Sequence, residues 1–100
     1  GLVAADFPEG VAVLGDVAAE TRVVMAAISE MLKEVGLSFE DVVKADVHLA
    51  DLSDFDAMDA AYREYFPPRV YPARTTTESP RLFGGSKVEM TVQARLRKVS

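Results

Sequence analysis

The chain has 100 residues, 49% of them hydrophobic and 27% charged, which fits one globular domain spanning residues 1–100 and leaves no room for a second. A net charge of −5 sets up a field that repels phosphate backbones, so nucleic acid is not an expected partner. The absence of cysteine excludes disulfides, thiolate metal sites and a cysteine nucleophile, and suits a reducing, cytoplasmic setting.

The first ten residues carry Asp6 and Glu9 and lack the basic and apolar regions of a signal peptide. The chain starts at Gly1 rather than at methionine, which leads us to expect further residues upstream. Val11 to Leu14 reads as a short strand. Asp16 is a good N-cap for a helix over residues 17–35, in which Val17, Val24 and Met31 interleave with Thr21, Ile28 and Val35 as one apolar stripe. Lys33 in its last turn suits the helix dipole, and Gly36 follows as the expected C′ residue.

From Val43 to Leu49 the apolar residues Val43, Ala45, Val47 and Leu49 alternate with Lys44, Asp46 and His48, the period of a strand with two unlike faces. Ser53, with Asp56 three residues on, predicts the cap of a second helix. Its buried side is Phe55, Met58, Tyr62, Tyr65 and Phe66, and Pro67-Pro68 ends it. Residues 74–78, with three threonines, read as a strand, and Pro80, Gly84 and Gly85 mark a loop. The last strand is the clearest: Val88, Met90, Val92, Ala94 and Leu96 fall on one face, and Lys87, Glu89, Thr91, Gln93 and Arg95 on the other.

This order predicts an α+β arrangement, a mixed sheet with two helices on one face. The other sheet face then carries Asp46, His48, Glu89 and Gln93, either wet or covered by another subunit. No segment approaches the roughly 20 apolar residues of a membrane helix. The acidic group Asp51, Asp54, Asp56 and Asp59 lacks the glycine and terminal glutamate of a calcium loop, and no metal or organic cofactor is expected.

Several segments together resemble the RidA/YjgF family, also described as endoribonuclease L-PSP or translation initiation inhibitor. They are Gly15-Asp16-Val17-Ala18-Ala19-Glu20-Thr21-Arg22, Gly36-Leu37-Ser38, Asp41-Val42-Val43-Lys44, Asp54-Phe55, Tyr65-Phe66, Pro72-Ala73-Arg74-Thr75-Thr76 and Lys87-Val88-Glu89. The resemblance implies the chorismate-mutase-like YjgF fold, a homotrimer with clefts between subunits, and hydrolysis of 2-imino acids or their enamines to 2-keto acids and ammonia. It implies that Arg74 holds the substrate carboxylate and that Glu89 positions or deprotonates water. Thr76 stands where the family often has a cysteine or a small hydroxyl residue beside the ligand.

By the same resemblance Gly1 corresponds to the glycine closing the family's second strand, so the preceding hairpin and a tyrosine that lines the site lie outside this chain. At Asp59, also assigned to the substrate site, the family often has asparagine. These two departures leave open a non-catalytic trimer that binds a small carboxylate for regulation. The ribonuclease or translation-inhibitor activity attached to the family's older name is disfavoured by the acidic charge, the absence of a basic stripe and the single histidine, His48, expected in a polar trimer interior.

Overall fold

The computed structural model describes residues 1–96. Four strands, β1 (Leu2–Val3), β2 (Val42–Leu49), β3 (Ala73–Glu78) and β4 (Val88–Ala94), form one sheet in the order β1-β4-β2-β3. β4 runs antiparallel to both β1 and β2, while β3 runs parallel to β2, so the sheet is mixed. Three helices accompany it: a single turn α1 (Pro8–Val11), the long α2 (Val17–Glu34) and α3 (Phe55–Arg63). The parallel β2–β3 pair requires a crossover, and α3 supplies it.

The helix α2 begins where expected, with the Asp16 side chain accepting from the Ala19 amide at 3.1 Å. Its end is a Schellman motif: the Leu37 amide donates to the Leu32 carbonyl at 2.8 Å and the Gly36 amide to that of Lys33 at 3.0 Å. Gly36 sits at φ +75°, where a side chain would be strained. The buried stripe is rotated from the expected one, because Met31 and Val35 are exposed whereas Met25 and Leu32 are buried. Wrapping against both α3 and the sheet selects residues at spacings of three, four and one, which a strict heptad pattern does not capture.

Three further expectations are corrected. Residues 11–14 are not a strand. Pro8 opens α1 at its first turn, where its missing N–H costs nothing, and the chain then turns into the Asp16 cap. In β2 the inward residue at the start is Val42 rather than Val43, because a bulge between Val42 and Lys44 turns Val43 outward. The cap before α3 comes from Asp51, whose carboxylate accepts from the Ser53 amide at 2.9 Å and leads a 3-10 turn at Leu52–Asp54 into the helix. Those bonds to Ser53 hold the Asp51 carboxyl below its usual range. At the other end, β4 stops at Ala94 and Leu96 is exposed.

One face of the sheet is covered. Ala45, Val47, Leu49, Val88 and Met90 are buried against Val24, Met25, Ile28 and Leu32 of α2 and Met58 and Tyr62 of α3, in a single core cluster. Burying a side chain such as Met58 contributes about 1.5–3 kcal/mol. Phe66 closes the end of this core, packing edge-on to Phe39 with ring centroids 5.1 Å apart. The opposite face, which carries no α-helix among the described residues, presents Asp46, His48, Glu89 and Thr91, as the alternation predicts.

Candidate active site

The helix α3 presents Phe55, Asp59, Tyr62 and Arg63 along one stripe, since positions separated by three, four, seven and eight residues share a face. Arg74, the second residue of β3, lies against that stripe. Its Nη1 donates to Asp59 Oδ1 at 2.5 Å, and its guanidinium carbon sits 4.8 Å from the Tyr62 ring centroid and 5.2 Å from that of Phe55. The other carboxylate oxygen of Asp59 pairs with Arg63 Nε at 2.9 Å. One carboxylate thus joins two arginines, and one of the guanidinium groups lies within cation–π distance of two aromatic rings.

Both members of the Arg74–Asp59 pair are mostly covered, with side chains 20% and 15% exposed, so their attraction is weakly screened. Among the described residues Arg74 donates only through Nη1, which leaves the edge formed by Nε and Nη2 free. That edge is the one suited to two parallel bonds with a carboxylate. Asp59, Tyr62, Arg63, Tyr71, Pro72 and Arg74 line a pocket of about 250 Å³. The Tyr62 hydroxyl is buried without a hydrogen-bond partner among the described residues. Burial pushes its pKa up to about 12, outweighing the opposing pull of Arg74, so it stays a neutral phenol at physiological pH.

The register separates the expected site residues into two groups. Arg74 and Thr76 pair with Ala45 and Val47 of β2 and therefore share the helix-covered face, with Asp59 above them. Glu89 pairs with His48 and points to the open face, where Gly1 meets it: a Cβ added to Gly1 would lie 2.8 Å from the Glu89 carboxyl carbon. Within one chain, then, Gly1 and Glu89 stand on the opposite side of the sheet from Arg74, Thr76 and Asp59. On the open face His48 Nδ1 lies 2.7 Å from Thr77 Oγ1, and Asp46 accepts from Thr75 at 2.5 Å. The bond from Thr75 holds the Asp46 carboxyl below its usual range. The side chain of Glu89 makes no hydrogen bond or ion pair among the described residues.

Sequence reasoning missed two contributors. Arg63 and Tyr71 line the pocket, and the spacing of four between Asp59 and Arg63 was the available signal. Glu20 is fully buried, each carboxylate oxygen accepting one backbone amide at 2.8 Å, from Gly15 and from Lys87. It ties the start of α2 to the residue before β4. As a charged residue in a first helical turn it carried no mark of burial. A larger groove of about 530 Å³ runs over the outer side of α2 between Phe7, Ala26 and Met31, but its one arginine, Arg22, is spent on Glu64 at 2.9 Å. No group of three or more histidine, aspartate or glutamate side chains is arranged to hold a metal among the described residues.

Residues 1–96 match the family described as Endoribonuclease L-PSP. The human protein named 2-iminobutanoate/2-iminopropanoate deaminase is 35% identical over 94 residues, covering 94% of this chain and 68% of its own length. A RutC family protein of Pyrococcus abyssi is 40% identical over 90 residues, 90% of this chain and 70% of that protein. Among solved structures, the YjgF gene product of E. coli superposes with a TM-score of 0.77 at 33% identity, covering 83% of this chain and 67% of that one. The chain therefore spans about two thirds of the length of such relatives.

Proposed function

Because the chain belongs to the endoribonuclease L-PSP family, the RidA/YjgF proteins, we propose that it hydrolyses 2-imino acids to 2-keto acids and ammonia in a site completed by a second copy of itself. The observation that carries this reading is the free guanidinium edge of Arg74, a residue that lines a small, half-open pocket. The substrate carboxylate takes the Nε and Nη2 donors of Arg74, which fixes the neighbouring C=N carbon. Water adds to that carbon, the C=N electron pair moves to nitrogen, and the proton released by water goes to a carboxylate. Collapse of the resulting carbinolamine forms the C=O bond and expels ammonia, so one water is consumed for each ammonia released. Glu89 is our candidate for the carboxylate that handles the water.

Glu89 lies across the sheet from Arg74 in its own chain, so the two groups can meet only when Glu89 comes from another copy. A closed cyclic trimer gives every such cleft one Arg74 and one partner Glu89. Light scattering is expected to return about three times the 10.9 kDa chain mass. Glu89→Gln is expected to lower turnover of 2-iminobutyrate by roughly 100-fold with little change in 2-oxobutyrate affinity. Co-refolding Glu89→Gln with Arg74→Ala, each strongly impaired alone, then restores partial activity, because some clefts of mixed trimers carry both native residues. A monomer in solution, or no recovery on mixing, overturns the shared site.

The pairing of Arg74 with Asp59 favours a second reading, a trimer that binds small carboxylates without turnover. It is distinguished by a wild-type protein that binds 2-oxobutyrate through Arg74 yet accelerates imine hydrolysis no more than buffer does.

A further inference from the structure

We propose that Arg63 is a positioning residue for anion binding: by holding the second oxygen of Asp59, it keeps that carboxylate from neutralising Arg74. The inference rests on Arg74 being the carboxylate grip, and it explains how a guanidinium that already has a carboxylate partner attracts another. Alone, the Arg74–Asp59 pair is electrically neutral, and both side chains are mostly covered, at 20% and 15% exposed, so water screens their charges from each other only weakly. An incoming anion would meet a dipole there rather than a net charge.

Arg63 changes this in two respects. Asp59, Arg63 and Arg74 are the charged residues that line the pocket, and two arginines against one aspartate leave a net charge of +1. The second respect is how the oxygens of Asp59 are shared: Arg63 Nε takes Oδ2 at 2.9 Å, while Arg74 Nη1 takes Oδ1. Divided in this way, Asp59 offers Arg74 a single acceptor. Released from Arg63, the same carboxylate is free to turn both oxygens to Nη1 and Nη2 of Arg74, a two-bond pairing that guanidinium and carboxylate groups often adopt. That pairing takes up more of the charge on which an anionic ligand depends. Arg63 is placed for its task by its spacing of four from Asp59 on α3 and by the Tyr71 ring, whose centroid lies 5.7 Å from its guanidinium carbon.

The test is a double-mutant cycle read by calorimetric titration of the full chain with 2-oxobutyrate. Arg63→Gln is expected to weaken binding about fivefold, the upper scale for a partly exposed ion pair. Arg63→Lys, which keeps a cation within reach of Asp59, is expected to weaken it by less than about twofold. In the Asp59→Asn background, where no carboxylate competes for Arg74, Arg63→Gln is expected to change affinity by less than about twofold. Equal losses in the two backgrounds show that Arg63 acts without Asp59, and overturn the proposal. So does an Arg63→Gln chain that melts earlier but binds like the wild type, the result of a purely structural bridge, and that comparison stands even if Asp59→Asn does not fold. If Arg74→Lys binds 2-oxobutyrate like the wild type, the reading of Arg74 itself fails and this inference with it. An affinity that depends on Arg74 and is indifferent to Arg63 removes only the role of Arg63.

Discussion

The two groups of candidate residues sit in opposite physical states. Around Arg74 nearly everything is matched: the guanidinium lies over the Tyr62 and Phe55 rings, is paired with Asp59, and is braced through Asp59 by Arg63. Around Glu89 little is matched within the chain, since its side chain makes no hydrogen bond or ion pair among the described residues and points to the face opposite the helices. The difference teaches a division of labour. A recognition group gains from being held rigid, because each immobilised donor is positioned before the ligand arrives. A group left on an open sheet face is positioned by whatever docks there, so its role depends on assembly.

The strongest way to sharpen that contrast is through stability. Met58→Ala on the covered side removes a fully buried side chain from the α3 contact and is expected to cost about 2–5 kcal/mol by chemical denaturation. Thr91→Ala on the open face should stay within about 0.5 kcal/mol if the variants are compared in the dissociated chain. A larger effect at Thr91 than at Met58 in the assembled protein would show that the open face is the more tightly packed one once copies associate.

A smaller effect tests whether Arg74 works by geometry or by charge alone. Arg74→Lys keeps the cation but cannot offer two parallel N–H groups, so affinity for 2-oxobutyrate should fall about tenfold, nearly as far as in Arg74→Ala. Equilibrium titration of the two variants decides it. A lysine variant that binds like the wild type would reduce the rigid half of the site to a point charge.

The smallest effect concerns the Tyr62 phenol, which burial holds neutral up to about pH 12. Its pKa is raised on folding, so the associated stability is fully present below the ordinary tyrosine pKa of about 10 and is lost as pH rises toward 12. Because the hydroxyl has no partner among the described residues, Tyr62→Phe should leave stability at pH 7 unchanged or slightly higher, and should flatten its decline above pH 10. Melting temperatures from pH 7 to 11 provide the check. A clear loss at pH 7 would reveal a hydrogen bond to the hydroxyl.

Local sequence determined the elements whose signals are local. The Asp16 cap and Gly36 terminus of α2 and the alternation of β4 each depend on a few neighbouring residues and on backbone rules that hold in any fold, whereas α3 ends at Arg63, before Tyr65, Phe66 and the Pro67-Pro68 pair expected to stop it. The resemblance carried by Pro72-Ala73-Arg74-Thr75-Thr76 and Lys87-Val88-Glu89 likewise needed only order and spacing. The tertiary structure decided what spacing cannot express. The bulge that turns Val43 outward arises from pairing with β4, and the rotation of the α2 stripe arises from packing against two partners at once. The burial of Glu20 depends on amides at Gly15 and Lys87, the latter 67 positions away. The same is true of the site: Arg74 and Glu89 are separated by fifteen residues, but whether they face one another is set by strand register, because shifting a pairing by one residue exchanges the faces.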